Sequence, residues 1–450
     1  MNVKKILCCL ALTSVLGVQV LKAQQSVQTL DSCIRYAWKH SIDARQADAR
    51  YSSAKAAYIN AIGQLLPQVS ASTGVSFNFG RGLNAETNTY TDINSFSNNY
   101  SVSASMTLFD GFQSLFAIEE KRHQKNQSKL DTQKQRNLAA LGTVEAYYNL
   151  LYSEGMYRLS LEKLGESSKL LEQVQRMEEL GSKSHADVLE VAAREASDRA
   201  SVSKAKNQAL IAELQLKEKM NWPVEEDLVI DSIPREILDS VFVQIVSVDR
   251  QSVFKYAETN DPALQMARLQ TRAAKASLKA SWADFLPKIY VGAGFNTGFS
   301  RFMDGSEYVS FKEQLKNRRG HYVGFSLNIP LFSNFSKITG VSKSRASRVI
   351  AQLEEERARN TLYTSVVREI GDMQGALELY VQGVAQVKAT ELAYRAAQKR
   401  YQVGMISVIE LSTTSNRYLE AQVNCLRAYT QYLLKTKYVK YYQGESFIEE

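Results

Sequence analysis

LPQVSASTGVSFNFG, residues 66–80, decides the fold. Side chains alternate across a β-strand, so Val69, Ala71, Thr73, Val75, Phe77 and Phe79 share one face and Ser70, Ser72, Gly74, Ser76 and Asn78 the other. One face is apolar. The other is small, polar and uncharged, which suits the inside of a water-filled barrel. A second alternating run follows, with Tyr100, Val102, Ala104, Met106 and Leu108 against Ser101, Ser103, Ser105 and Thr107. The Asn-, Thr- and Ser-rich stretch between the two runs reads as an exposed loop.

The pattern then returns. LPKIYVGAGFNTGFS begins at Leu286, 220 residues after Leu66, and MTLFDGF from Met106 has the counterpart IPLFSNF from Ile329. AKAAYINAIGQLLP from Ala54 matches AKASLKASWADFLP from Ala274. The second strand pair opposes Ile289, Val291, Ala293, Phe295, Thr297 and Phe299 to Tyr290, Gly292, Gly294, Asn296 and Gly298, and Val323, Phe325, Leu327 and Ile329 to Tyr322, Gly324, Ser326 and Asn328. A polar loop including Met303 to Gly320 joins its strands. An internal duplication of this kind fixes an architecture more firmly than any single motif.

The rest of the chain reads as helix. Residues 30–65 form a first helix with Asp31 as N-cap, ended by Pro67. Residues 112–180 contain no proline and space apolar residues by three or four at Leu138, Leu141, Val144, Tyr148 and Leu151, and at Leu170, Val174, Met177 and Leu180. A helix of about 68 residues is about 100 Å long. Gly142, Gly155 and Gly165 weaken it by about 1 kcal/mol each relative to alanine. Gly181 ends it, and Ser184-x-x-Asp187 is close to a capping box for a helix over 184–221. In the second half, residues 253–285 read as a helix. Leu362, Val366, Ile370, Met373, Leu377, Tyr380, Val384 and Val387 form a coiled-coil seam in a helix over 334–403. Gly404 ends it, and Ser407 with Glu410 at its third position opens a helix over 407–441. The fold is thus mainly α with a membrane β-barrel, in two tandem repeats: 24–229, with strands 68–79 and 100–109, and 252–450, with strands 288–299 and 321–331. Residues 230–251 link them.

Composition sets the bounds. The 450 residues are 44% hydrophobic and 23% charged with only six prolines, as for a folded, helix-rich chain. Residues 1–23 read as a secretory signal, with Lys4 and Lys5 before an apolar run. Losing Lys4, Lys5 and Lys22 with no acid takes the formal charge from +8 to +5, interspersed and without a nucleic-acid patch. Two cysteines lie in the signal. Cys33 and Cys425 are too few and too distant for a disulfide framework. His40, His123 and His321 have no metal-ligand spacing, and no phosphate loop, nucleophile elbow or cofactor motif is present, so no enzyme is indicated.

Four strands cannot close a barrel, because the smallest membrane barrels need about eight. Three copies supply twelve. With the duplicated order of helix, strand pair, long helix, Gly-x-x-Ser-x-x-Asp/Glu turn and helix, the mature chain resembles the TolC-like outer-membrane efflux proteins. The resemblance implies a homotrimer in the outer membrane, with a twelve-stranded barrel in lipid and an α-helical tunnel in the periplasm. It implies a passive exit duct of a tripartite efflux or type I secretion system, joined through a periplasmic adaptor to an inner-membrane pump of RND, ABC or MFS type. Drugs, other small molecules or proteins would pass. Asp187, Glu410 and Tyr401 then match gate or constriction residues, while Leu180, Gly181, Ser184 and Val403, Gly404, Ser407 match the adaptor-docking turns. Thr413 stands where the family has a second ring acid, and Ile406 where it has a basic residue. Asp187 and Glu410 also have a plainer role, since acids in a first turn complement the helix dipole by about 0.3–1 kcal/mol. His185, beside the first turn, could sense pH. An adhesive coiled coil with a trimeric anchor is the alternative, but anchor strands would then be expected at one end of the chain and not in its middle.

Overall fold

A computed structural model of the chain describes residues 27–84, 88–92, 94–238, 248–303 and 307–445. The signal stretch 1–23 and the acidic tail beyond Glu445 lie outside the described residues, as does 239–247 of the linker.

The helices of the two halves have the same lengths in the same order. α1 (Leu30–His40) and α5 (Arg250–Asn260) have 11 residues, and α2 (Ile42–Gly63) and α6 (Pro262–Ala283) have 22. α3 (Gln113–Glu179) and α8 (Ser336–Gln402) have 67, and α4 (His185–Met220) and α9 (Val408–Gln443) have 36. At 1.5 Å per residue α3 and α8 are each about 100 Å long.

Two single helices expected from the sequence are each two. Ser41 closes α1 and caps α2, its hydroxyl accepting from Ala44 N. Asp261 does the same for α6, whose first residue is Pro262, a position where the absent N–H costs nothing. The N-cap of α1 is Thr29, not Asp31, which sits in the first turn. Leu138 is exposed, so the apolar stripe of α3 starts one turn later than its spacing implies.

The strands form one antiparallel sheet in the order β1 (Gln68–Asn78), β4 (Ser95–Phe109), β5 (Lys288–Phe302) and β6 (Gly320–Asn328). Its central pair, β4 and β5, joins the two halves of the chain. The register puts Ala71 beside Val102 and Val102 beside Phe295, so the apolar residues of neighbouring strands share a face. On the other face the serines pair across β1 and β4, Ser70 with Ser103, Ser72 with Ser101 and Ser76 with Ser97, at 2.6–3.0 Å. The apolar face is open, with Val69, Phe77, Val323 and Phe325 all exposed.

The connections hold more structure than their composition implies. Residues 81–92 contain a small hairpin, β2 (Arg81–Asn84) with β3 (Thr89–Asp92), and β4 begins at Ser95, inside the expected loop. Within 303–320 lies a short helix, α7 (Phe311–Asn317). β6 ends at the partner of Asn296 whereas β5 continues to Phe302, which bares an edge. α7 covers it. The buried Gln314 side chain accepts from Ser300 N at 3.0 Å and donates to Ser300 O at 2.9 Å, replacing a strand partner.

At the helical end of the sheet, each half turns into its long helix through a left-handed phenylalanine. Phe112 has φ +69° and stacks edge-on against Phe109; Phe335 has φ +61° and does the same against Phe332. The helices then pack into three apolar clusters. The largest is built on α1, α3, α4, α8 and α9 and contains both Cys33 and Cys425 as free thiols. Burial pushes Cys33 up to about 12 and Cys425 up to about 11, so neither is a ready nucleophile. A second joins α5 and α6 to α8 and α9, and the third lies at the far ends of the hairpins.

Candidate functional site

The two helix turns farthest from the sheet are built alike. α3 ends at Gly181, with φ +73°; its N–H donates to Glu178 O, and Ser182 N donates to Met177 O. α8 ends at Gly404, with φ +77°, donating to Tyr401 O, and Met405 N donates to Arg400 O. These are the paired bonds of a Schellman ending, which needs a residue that tolerates the left-handed region. Two residues past each glycine's next neighbour, a serine starts the following helix. Ser184 and Asp187 form a complete capping box: Asp187 N donates to Ser184 Oγ, while Ser184 N and Oγ both donate to Asp187 Oδ2. Those donors hold the Asp187 carboxyl below its ordinary value. The second turn is only half of this. Ser407 Oγ accepts from Glu410 N at 3.2 Å, but the Glu410 carboxylate does not return. It stands exposed, without a hydrogen bond or ion pair among the described residues.

Apolar side chains are displayed on both turns. Leu180 is 83% exposed, Val403 67% and Met405 71%, with Leu189 and Ile409 also open. His185 is tied within its own turn, Nδ1 lying 2.8 Å from Glu178 Oε1.

Behind this surface the two hairpins pack together. Val174, Val188 and Val191 from the first meet Tyr394, Ala397, Tyr401, Ile406, Val408 and Leu411 from the second. Tyr401 is 4% exposed, its hydroxyl has no hydrogen-bond partner among the described residues, and Lys183 Nζ lies 4.8 Å over its ring. Burial raises the Tyr401 hydroxyl, with the Asp187 and Glu190 carboxylates adding to the effect. Ile406 is buried here, which accounts for an apolar residue at that place. Thr413 is exposed and donates to Ile409 O of its own helix. Tyr401 and the Asp187 turn are thus brought together, whereas Glu410 lies on the open side.

A second set of contacts, not expected from the sequence, joins the hairpins farther from the tips. Tyr394 OH donates to Glu166 Oε2 at 2.8 Å, and Lys163 Nζ donates to Asn416 Oδ1. Lys163, Glu166 and Tyr394 line a small polar cavity of about 180 Å³. Burial lowers the Lys163 ammonium, with Asp198 opposing and Arg194 adding to the shift. The signal was in the spacing: Leu159, Lys163, Ser167, Leu170 and Val174 step by four, four, three and four, which places a lysine inside a packing seam.

The arrangement offers surfaces and a wall, and among the described residues no three His, Cys, Asp or Glu side chains are grouped as metal ligands. Comparison with known proteins agrees on what such a wall belongs to. The outer membrane efflux protein family matches residues 34–221 and 253–437. The pyoverdine export outer membrane protein OpmQ of Pseudomonas putida is 23% identical over 409 residues, 87% of this chain and 81% of that protein. The outer membrane protein TolC of Vibrio cholerae is 22% identical over 196 residues, 41% of each. Among solved structures, the outer membrane protein VceC of Vibrio cholerae superposes with a TM-score of 0.75 at 14% identity, covering 93% of this chain and 96% of that one. The open state of the MtrE outer membrane channel of Neisseria gonorrhoeae gives 0.75 at 18% identity, covering 93% and 89%. With the match running through both halves, the chain belongs to the outer membrane efflux protein family and is an outer-membrane efflux channel.

Proposed function

We propose that three copies of this chain close into one passive exit duct, with a twelve-stranded barrel in lipid and an α-helical tunnel in the periplasm. The observation that carries this reading is the sheet. It has four strands, β1 and β6 are both open edges among the described residues, and its apolar face is uncovered. An open edge beside exposed valine and phenylalanine demands partners, and in a bilayer only a closed barrel satisfies every backbone group. Copies joined β6 to β1 satisfy both edges at once. The serine face then lines water.

In this duct the two tandem repeats, 24–229 and 252–450, supply alternating parts of the wall, and residues 230–251 link them. The turns at Gly181 and Gly404 form the periplasmic end. Their exposed Leu180, Val403 and Met405 support docking of a periplasmic adaptor that connects the duct to an inner-membrane pump of a tripartite efflux or type I secretion system. Asp187, Tyr401 and Glu410 are the gate residues, Asp187 through the shape of its turn, Tyr401 through the seam between the hairpins and Glu410 through its exposed charge. Adaptor binding would shift the population of closed and open hairpins, and the pump would provide the energy. Small-molecule export is the favoured cargo class, in keeping with the pyoverdine export named for OpmQ. The test is the mass of the detergent-purified protein by light scattering, with negative-stain images. A trimeric hollow cylinder with a helical part about 100 Å long is expected. A monomer, or a solid rod, would overturn the duct.

A further inference from the structure

The apolar face of the sheet ends, on the side away from the long helices, in an arginine set among rings. The register pairs Phe77 with Phe96 and Phe96 with Arg301, so all three share the apolar face. Phe77 and Phe96 lie 5.2 Å apart, Phe96 and Phe299 6.0 Å. Phe299 is buried beneath Phe311 of α7, at 5.3 Å, and Tyr308, at 5.8 Å. Arg301 Cζ sits 5.8 Å from the Phe96 ring and 5.8 Å from the Tyr308 ring. Its side chain is exposed, and no ion pair to a carboxylate is found for it among the described residues.

Depth decides what this arginine meets. From Ile289 to Phe299 the apolar face of β5 runs ten steps, about 33 Å along the strand. At a barrel tilt near 40° that is about 25 Å of height, the thickness of the apolar band of an outer-membrane barrel. Arg301 comes next, at the level of the headgroups. The long helices α3 and α8 lie at the opposite end of the sheet, in the periplasm, so this is the outer leaflet. A guanidinium set beside two rings, with no paired carboxylate among the described residues, presents a planar fork of donors suited to phosphate.

We infer that Arg301, with Phe96 and Tyr308, binds the phosphate-bearing headgroup of an outer-leaflet glycolipid. The site lies on the inner strands β4 and β5 of one chain, away from the seams at β1 and β6. It rests on the barrel proposed above, and the light-scattering mass distinguishes failure of that barrel from failure of the site. Arg318 is the natural control, because it donates to Ser300 Oγ, on the polar face, at 2.6 Å.

The experiment is native mass spectrometry of the full-length protein in detergent, titrated with lipid A carrying its phosphates and with lipid A stripped of them. The phosphorylated form should be retained about tenfold more tightly, and Arg301→Gln should abolish the difference. Arg318→Gln should leave it intact. Heat-modified gel mobility reads whether each barrel has formed. Equal retention of the two lipids, or an unchanged preference in a folded Arg301→Gln protein, would overturn the site. So would an equal loss with Arg318→Gln, which would mean general charge attraction at this end. Displacement of the lipid by inorganic phosphate at matched concentration would assign the site to free phosphate and also overturn it.

Discussion

Lys183 holds its ammonium 4.8 Å above the ring of Tyr401, so the turn of the first hairpin reaches into the seam of the second. The contact sets a cation on a buried aromatic face, worth about 0.5–2 kcal/mol. The tyrosine hydroxyl adds nothing, since it is buried and without a partner among the described residues. Tyr401→Phe should therefore keep the ring, lose an unsatisfied group and leave the thermal midpoint unchanged or higher. Tyr401→Ala empties the seam and should cost about 3–5 kcal/mol. In planar bilayers the alanine variant should open more often and the phenylalanine variant should behave as the parent. Frequent opening of Tyr401→Phe would mean that the hydroxyl itself latches the proposed gate.

Asp187 and Glu410 hold equivalent places and should fail differently. The Asp187 carboxylate is committed to its own cap, so Asp187→Asn should fray α4 by about 1 kcal/mol and change conductance little. Its folded pKa is depressed, and the stabilisation is complete above the unfolded value near 3.9. It is lost as pH falls through the folded value, so the turn should be indifferent to pH between 7 and 5 and loosen only below about pH 4. The exposed Glu410 has no such duty. Glu410→Gln should leave stability alone and alter cation conductance, most at 0.01 M salt, where the Debye length is about 30 Å. Identical current–voltage curves at low salt would remove Glu410 from the proposed gate.

How far this site could be read beforehand depended on the range of the forces involved. Caps and turns are local, so Ser184, Asp187, Gly181 and Gly404 were legible from spacing alone. The strand faces were legible too, because alternation is a property of the strand itself. What escaped was set by distant partners. Tyr394 finds Glu166 across 228 positions, and no periodicity reports that. Gln314 looks like an ordinary polar loop residue until β6 stops short of β5 and leaves an edge to cover. Ser41 and Asp261 split the stretches 30–65 and 253–285 into two helices each, a break concealed by the helical pattern that continues on either side of them.

Gly404 separates backbone from surface. Nothing lies within 4 Å of where its Cβ would be, so the only local cost of a side chain is the left-handed backbone, about 1–2 kcal/mol. Gly404→Ala should assemble and export nearly as well as the parent. Gly404→Trp carries the same strain and adds bulk beside Val403 and Met405, so export should fall while the oligomer, read by light scattering, persists. Full export by the tryptophan variant would mean that no partner docks on this turn.

Gly155 and Gly165 both lie inside α3, where intrinsic propensity counts against each equally. Their surroundings reverse one of them. A Cβ at Gly155 would come 2.5 Å from Leu426 Cδ2 on α9, inside the largest apolar cluster, so the glycine is what lets the two helices approach. Gly165 faces solvent, with nothing within 4 Å. Gly155→Ala should thus destabilise by about 1–3 kcal/mol through overpacking. Gly165→Ala should stabilise by about 1 kcal/mol through propensity. Denaturant midpoints of the two variants would then move in opposite directions. A shift of the same sign in both would mean that Leu426 yields at little cost and that helix propensity, not the α3–α9 approach, governs residue 155.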